Sequence, residues 1–90
     1  PGEIYAGGTT LASHEVKRIG IGVIIERAKE EDTKWSFYDS WNKFLENADR
    51  VSSKKYMDVE GDYYYRVRCV HSAGEDKSSS FTNGVYIEEP

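Results

Sequence analysis

The 90-residue sequence predicts an all-β fold, specifically an antiparallel β-sandwich, on three observations. Residues 16–26 and 63–71 each alternate with a period of two and carry β-branched or aromatic side chains along one face. Polar or glycine-containing turns separate the remaining extended stretches. The count that results is roughly five to seven short strands at about 8–12-residue spacing, the pattern of a sandwich.

In chain order, Glu3-Ile4-Tyr5-Ala6 reads as a short strand ended by a Gly7-Gly8 break. The next strand is the clearest. Ile19, Ile21, Val23 and Ile25 share a face, and a helix there would have to hold two glycines among β-branched residues. The opposite face is small at Gly20 and Gly22, so a neighbour packs closely over the backbone or the strand bends. Ala28-Lys29-Glu30-Glu31-Asp32-Thr33 is a solvated hairpin loop leading to a partner strand over residues 35–41. Trp35 and Phe37 fall on its core parity, and Ser36, Tyr38 and Ser40 on the other. Asp39 shares the parity of Trp35 and Phe37, so the strand is expected to end or bulge there. Trp41, Phe44, Leu45 and Ala48 are spaced i, i+3, i+4, i+7. That spacing suits a short helical turn near 41–48 capped by Ser40, and an irregular connection fits equally well.

Residues 51–59 return to extended character, and Glu60-Gly61-Asp62 is a turn. In the strand that follows, Tyr63, Tyr65, Val67, Cys69 and His71 share one face and Tyr64, Arg66, Arg68 and Val70 the other. Ser72-Ala73-Gly74-Glu75-Asp76 turns into a final strand over about residues 79–87, with Asn83-Gly84 as a bulge inside it.

Ninety residues are one domain, 1–90. Aromatic residues at 13% give the chain enough buriable area to fold rather than stay disordered. Twelve basic against sixteen acidic residues leave a net charge of −4, which disfavours nucleic acid and anionic membrane surfaces as partners. No apolar run is long enough for membrane insertion by a helix. One cysteine excludes an internal disulfide and a multi-cysteine zinc site, and no cofactor motif is present. The chain opens without Met or a leader pattern, as expected if a leader was removed or the piece was excised.

Residues 61–80 resemble the last two strands of a fibronectin type III domain, itself an immunoglobulin-like sandwich. Gly61 stands at the turn, Tyr63 at the corner-tyrosine position, and Tyr65, Val67 and Cys69 continue the inward face. His71-Ser72-Ala73-Gly74-Glu75 stands at the following turn. The resemblance implies fold and not ligand. The chain as a whole also looks like small secreted proteins of Gram-positive bacteria. The residues that carry this are Thr9-Thr10, residues 16–25, Lys34-Trp35, Ser40-Trp41, Tyr64-Tyr65-Arg66-Val67-Arg68, His71-Ser72 and residues 82–87. That resemblance implies an extracellular or cell-surface setting and no known activity.

These features lead to a non-catalytic extracellular interaction or spacer module as the expected function. A carbohydrate-binding module is the first alternative and a small hydrolase the second. The candidate binding residues are Tyr38, Trp41, Tyr64, Arg66 and Arg68, because aromatics on an open sheet face stack on sugars or anchor proteins. Arg66 and Arg68 could instead simply cover Tyr64 by cation–π stacking. Tyr63 and Cys69 are assigned structural roles, Cys69 as a buried small hydrophobe. His71 and Ser72 are adjacent on a strand and point to opposite faces, so they form no catalytic pair. Asp58, Glu60 and Asp62 offer oxygen ligands around Gly61 without the spacing of a calcium loop. A solvated turn is the expected reading.

Overall fold

The computed structural model describes residues 2–82 and 84–88, and the fold is all-β and antiparallel. Its five strands are β1 (Gly2–Ala28), β2 (Ser36–Val59), β3 (Tyr63–Ala73), β4 (Asp76–Phe81) and β5 (Val85–Ile87). They form one sheet in the order β2-β1-β3-β4, with β5 also paired to β3. Two of the strands are unusually long. β1 and β2 form a ribbon in which residues 2–11 pair with 50–59 and residues 16–27 with 36–48. The register shifts between Leu11 and Val16, and Asn47 near the same level has a φ of 52°.

At that irregularity the ribbon folds back on itself. The Thr10 hydroxyl donates to the Gly20 carbonyl at 2.9 Å, and a Cβ placed on Gly8 would meet Cys69 Sγ at 2.8 Å and Ile21 Cδ1 at 3.0 Å. The core lies between the two halves of the bent ribbon. Ile19, Ile21, Val23, Val51 and Cys69 form one buried cluster, and Ala6, Ile25, Val59 and Tyr65 form the other. This is the predicted alternation of 19, 21, 23 and 25 made physical. Each isoleucine or valine removed from water contributes about 1.5–3 kcal/mol.

Three expectations are corrected. Gly7-Gly8 does not break the first strand, which runs unbroken through it. Glycine is needed there for close approach instead: a Cβ on Gly7 would collide with the Ser53 carbonyl oxygen, and Gly8 lies beneath Cys69. The helical turn near 41–48 is absent, because residues 41–48 lie inside β2 and pair with β1, Trp41 opposite Val23 and Phe44 opposite Gly20. The cross-strand ladder satisfies the backbone that a helix would have satisfied, and the Phe44 ring covers Gly20. The faces of residues 35–38 are exchanged. A register shift between Ile25 and Glu26 leaves Tyr38 unmatched, with Asp39 opposite Ile25 and Phe37 opposite Glu26. Tyr38 then packs on the core while Phe37 is 66% exposed.

The turns stand where expected. In the β1–β2 loop the Asp32 amide donates to the Lys29 carbonyl and the Asp32 carboxylate accepts from the Lys29 amide. Gly74, at φ 61°, sits in the tight β3–β4 turn. The final stretch comprises two strands, β4 and β5, whose register on β3 differs by one residue. Asn83 lies outside the described residues.

Candidate functional site

Pairing register decides which side chains share the outward face of the sheet. Across β2, β1, β3 and β4 one row reads Ser40, Ile24, Arg68 and Phe81, and the next toward β5 reads Phe37, Glu26 and Arg66. Tyr64 lies opposite Tyr86, with ring centroids 4.8 Å apart. Tyr64, Arg66 and Arg68 are therefore brought together on one face, as their shared parity requires.

Arg66 is held on three sides. Its Nε donates to Glu26 Oε1 at 2.8 Å, and its guanidinium lies 4.5 Å from the Trp35 ring centroid and 5.3 Å from that of Phe81. Planar guanidinium stacks in this manner while keeping its in-plane donors free for carboxylate. Arg68 is half-buried, between Ile24 and Phe81 in its row, and among the described residues nothing is hydrogen-bonded or ion-paired to its side chain. Phe37 and Phe81 stand 66% and 59% exposed on the same face. The face thus combines exposed apolar rings with one fixed guanidinium and one that is unpaired among the described residues.

Tyr38 and Trp41 do not belong to it. Both turn to the interior side. Tyr38 meets Tyr65 edge-on at 5.6 Å and lies beneath the Arg27 guanidinium. The Trp41 indole donates to Ser53 Oγ at 2.9 Å, with the Lys55 ammonium 4.6 Å above the ring. Sequence reasoning missed Trp35, Phe37, Phe81 and Tyr86. A signal for Phe81 was present: a tight turn at Gly74-Glu75 places Ala73 opposite Asp76, and counting outward brings Phe81 opposite Arg68. For Phe37 the signal was Asp39, a carboxylate on the parity of Trp35 and Phe37 that implies a strand end or bulge. The unmatched residue falls beside it, at Tyr38, and exchanges the faces before it.

The remaining candidates are engaged locally. His71 Nδ1 lies 2.7 Å from Thr10 Oγ1 and Nε2 2.9 Å from Ser80 Oγ. Since the single Thr10 proton goes to the Gly20 carbonyl, Nδ1 carries the hydrogen and donates to Thr10. The ring ties the folded-back half of β1 to β4, and its partner serine is Ser80, across the ladder, rather than adjacent Ser72. Around Gly61, Glu60 pairs with Arg27 at 3.1 Å and Asp62 accepts from the Tyr86 hydroxyl at 3.3 Å. Among the described residues no three His, Cys, Asp or Glu side chains converge as metal ligands.

Cys69 is buried beneath the first half of β1, its Sγ 3.9 Å from the Gly7 carbonyl. Burial pushes the thiol up from its ordinary value, against a smaller opposing pull from a Ser80 hydrogen bond. Native protein should therefore resist thiol reagents and stay monomeric on a non-reducing gel. Rapid labelling or a disulfide-linked dimer would overturn the placement. A raised folded value also fixes a pH dependence. Below the unfolded thiol value of roughly 8.5 both states hold the proton and this stabilisation is complete. As pH rises above it the unfolded chain releases its proton first, so stability declines until the folded thiol ionises. Urea midpoints between about pH 7 and 10 should fall more steeply in the native sequence than in Cys69→Ala.

No protein family, curated protein or solved structure matches this chain.

Proposed function

We propose that the chain is a non-catalytic extracellular interaction module whose outward face, centred on Arg66, Arg68 and Phe81, docks a protein ligand. The observation that carries this reading is Arg68, unpaired among the described residues and half-buried between apolar side chains, beside an Arg66 already fixed by Glu26 and Trp35. Aromatic residues and arginine are the types that dominate binding energy at the centres of protein interfaces. A partner carboxylate would satisfy Arg68, and Phe37 and Phe81 would bury against the partner's apolar groups. The carbohydrate alternative is less well supported. Tyr38 and Trp41 face inward, and the Tyr64 and Tyr86 rings are inclined at 59° rather than lying flat in one platform. In this reading the fold is an immunoglobulin or fibronectin type III-like sandwich with a reduced second layer, supported by the resemblance over residues 61–80 and the facing halves of β1. The secreted, bacterial setting rests on the second resemblance.

The test immobilises the protein and compares it with Arg68→Glu and Phe81→Ala against surface extract and culture medium of Gram-positive bacteria. A ligand held by the native chain and lost from both variants is expected, while stability changes by no more than about 0.5 kcal/mol, as for ordinary surface positions. Destabilisation by either variant of more than about 2 kcal/mol would make the face structural. Glycan-array binding abolished by Tyr64→Ala would transfer the function to sugars.

A further inference from the structure

We propose that the open edge of β1 over residues 2–11 accepts an extended, basic peptide segment of a partner protein as an added strand. These residues pair with β2 along one edge only, and among the described residues no strand pairs with the other. An unpaired edge presents a row of backbone N–H and C=O groups, a template for an incoming strand. The folded-back half of β1 lies over β3, where Gly7 meets Cys69 and Thr10 meets His71. It does not reach β4. All six β4 residues are exposed, including Ser78 and Ser80, which their pairing with His71 and Cys69 places on the interior side. One strand position is thus vacant, beside β1 and above β4, and it is closed at the β5 end, where Gly2 packs on Ile87.

The vacancy has a floor. A cleft of about 320 Å³ separates Ile4 and Tyr5 on the β1 side from Val67, Thr82, Val85 and Ile87 on the other. Its walls are apolar at Ile4, Val67, Val85 and Ile87, which suits the alternate side chains of a strand whose backbone pairs with β1. Charge selects among such strands. Glu3 lines the cleft, Asp58 lies directly opposite Glu3 in the ladder, and exposed Glu88 follows Ile87 at the same end. The nearby arginines are already paired, Arg27 to Glu60 and Arg66 to Glu26. The lysines of β2 stand further along, Lys55 and Lys54 opposite Ala6 and Gly7, so the acidic rim is at the Glu3 end. A segment carrying lysine or arginine among alternating apolar residues complements this rim. The cleft opens on the interior side of β3. Arg66 of the outward face also lines it, but Phe37, Arg68 and Phe81 do not, so shifts at those three separate the docking reading from this one.

The probe is an acetylated nine-residue peptide alternating valine with threonine and lysine, titrated into the full chain and followed by amide NMR and hydrogen exchange. Shifts are expected at Ile4, Val67, Thr82 and Val85, with slowed exchange along residues 2–11. Because N-methylation removes one edge's donors, peptides N-methylated at alternate residues in the two registers should differ, one of them binding at least about tenfold more weakly than the parent. Glu3→Lys, at an exposed position that should leave the melting temperature unchanged, should weaken binding roughly fivefold at low salt. Equal affinity for all three peptides, no binding at about 1 mM, or shifts confined to Phe37, Arg68 and Phe81 would each overturn the proposal. Concentration-dependent shifts at the same residues without peptide would overturn it in favour of a second copy of the chain.

Discussion

Truncating Ile21 to alanine should cost roughly 2–5 kcal/mol, the range for losing a large aliphatic side chain from a packed core. Ile21 is 1% exposed, and its Cδ1 comes close to the space a Cβ would take on Gly8. The contact is therefore between the two halves of a single strand. Because Gly8 has no side chain to swing into the gap, the site collapses poorly, which favours the upper part of the range. A domain of this size holds on the order of 5–10 kcal/mol in total, so the variant should sit near its unfolding midpoint in mild urea. The urea midpoint should drop with little change in slope. A loss below about 0.5 kcal/mol would mean that residues 19–25 present their other parity to the interior. Ile24→Ala, on the outward face, is the matching control and should cost clearly less.

The same residues mark what the sequence made legible. Period-two alternation at 19–25 and 63–71 was enough to place the core and sort Tyr64, Arg66 and Arg68 onto one face, because side-chain direction in a strand follows parity alone. What parity cannot carry across is an irregularity. One unmatched residue at Tyr38 exchanged Phe37 and Tyr38 between outside and inside, and with them two of the expected ring positions. The helical spacing at Trp41, Phe44, Leu45 and Ala48 was coincidence of another kind. Phe44 is apolar because it covers Gly20 on the outward side, and Trp41 because it faces the core opposite Val23. Two separate faces of a strand together mimicked one face of a helix. Nor could the length of β1 be foreseen, since Gly7 and Gly8 carry a strand-breaking signature. Their reason for being glycine, contact with Ser53 and Cys69, is tertiary.

Replacing Tyr65 by phenylalanine should destabilise the fold by about 0.5–1.5 kcal/mol, rising toward about 3 kcal/mol if the abandoned carbonyl stays dry. A corner tyrosine was expected at Tyr63. The hydroxyl that reaches back into the turn belongs instead to Tyr65, which donates to the Glu60 carbonyl at 2.7 Å. Both residues share a parity, so the strand's inside and outside are unaffected and the corner has moved by one pleat. Packing explains why. Tyr65 is 2% exposed among Ala6, Ile25 and Val59, with Tyr38 edge-on, so its ring is fixed by the core. Tyr63 lies nearer the rim, its ring 4.1 Å beneath the Arg27 guanidinium, a contact that a phenylalanine keeps. Burial also raises the Tyr65 phenol above its ordinary value, more than the hydrogen bond from Arg27 lowers it. Stability should consequently weaken as pH climbs past the unfolded tyrosine value near about 10, and Tyr65→Phe should remove that part of the decline. Denaturant midpoints for Tyr63→Phe, Tyr64→Phe and Tyr65→Phe should rank Tyr65 as the most damaging. If Tyr63→Phe costs more than Tyr65→Phe, the hydroxyl bonded to Glu60 is not the one that closes the corner.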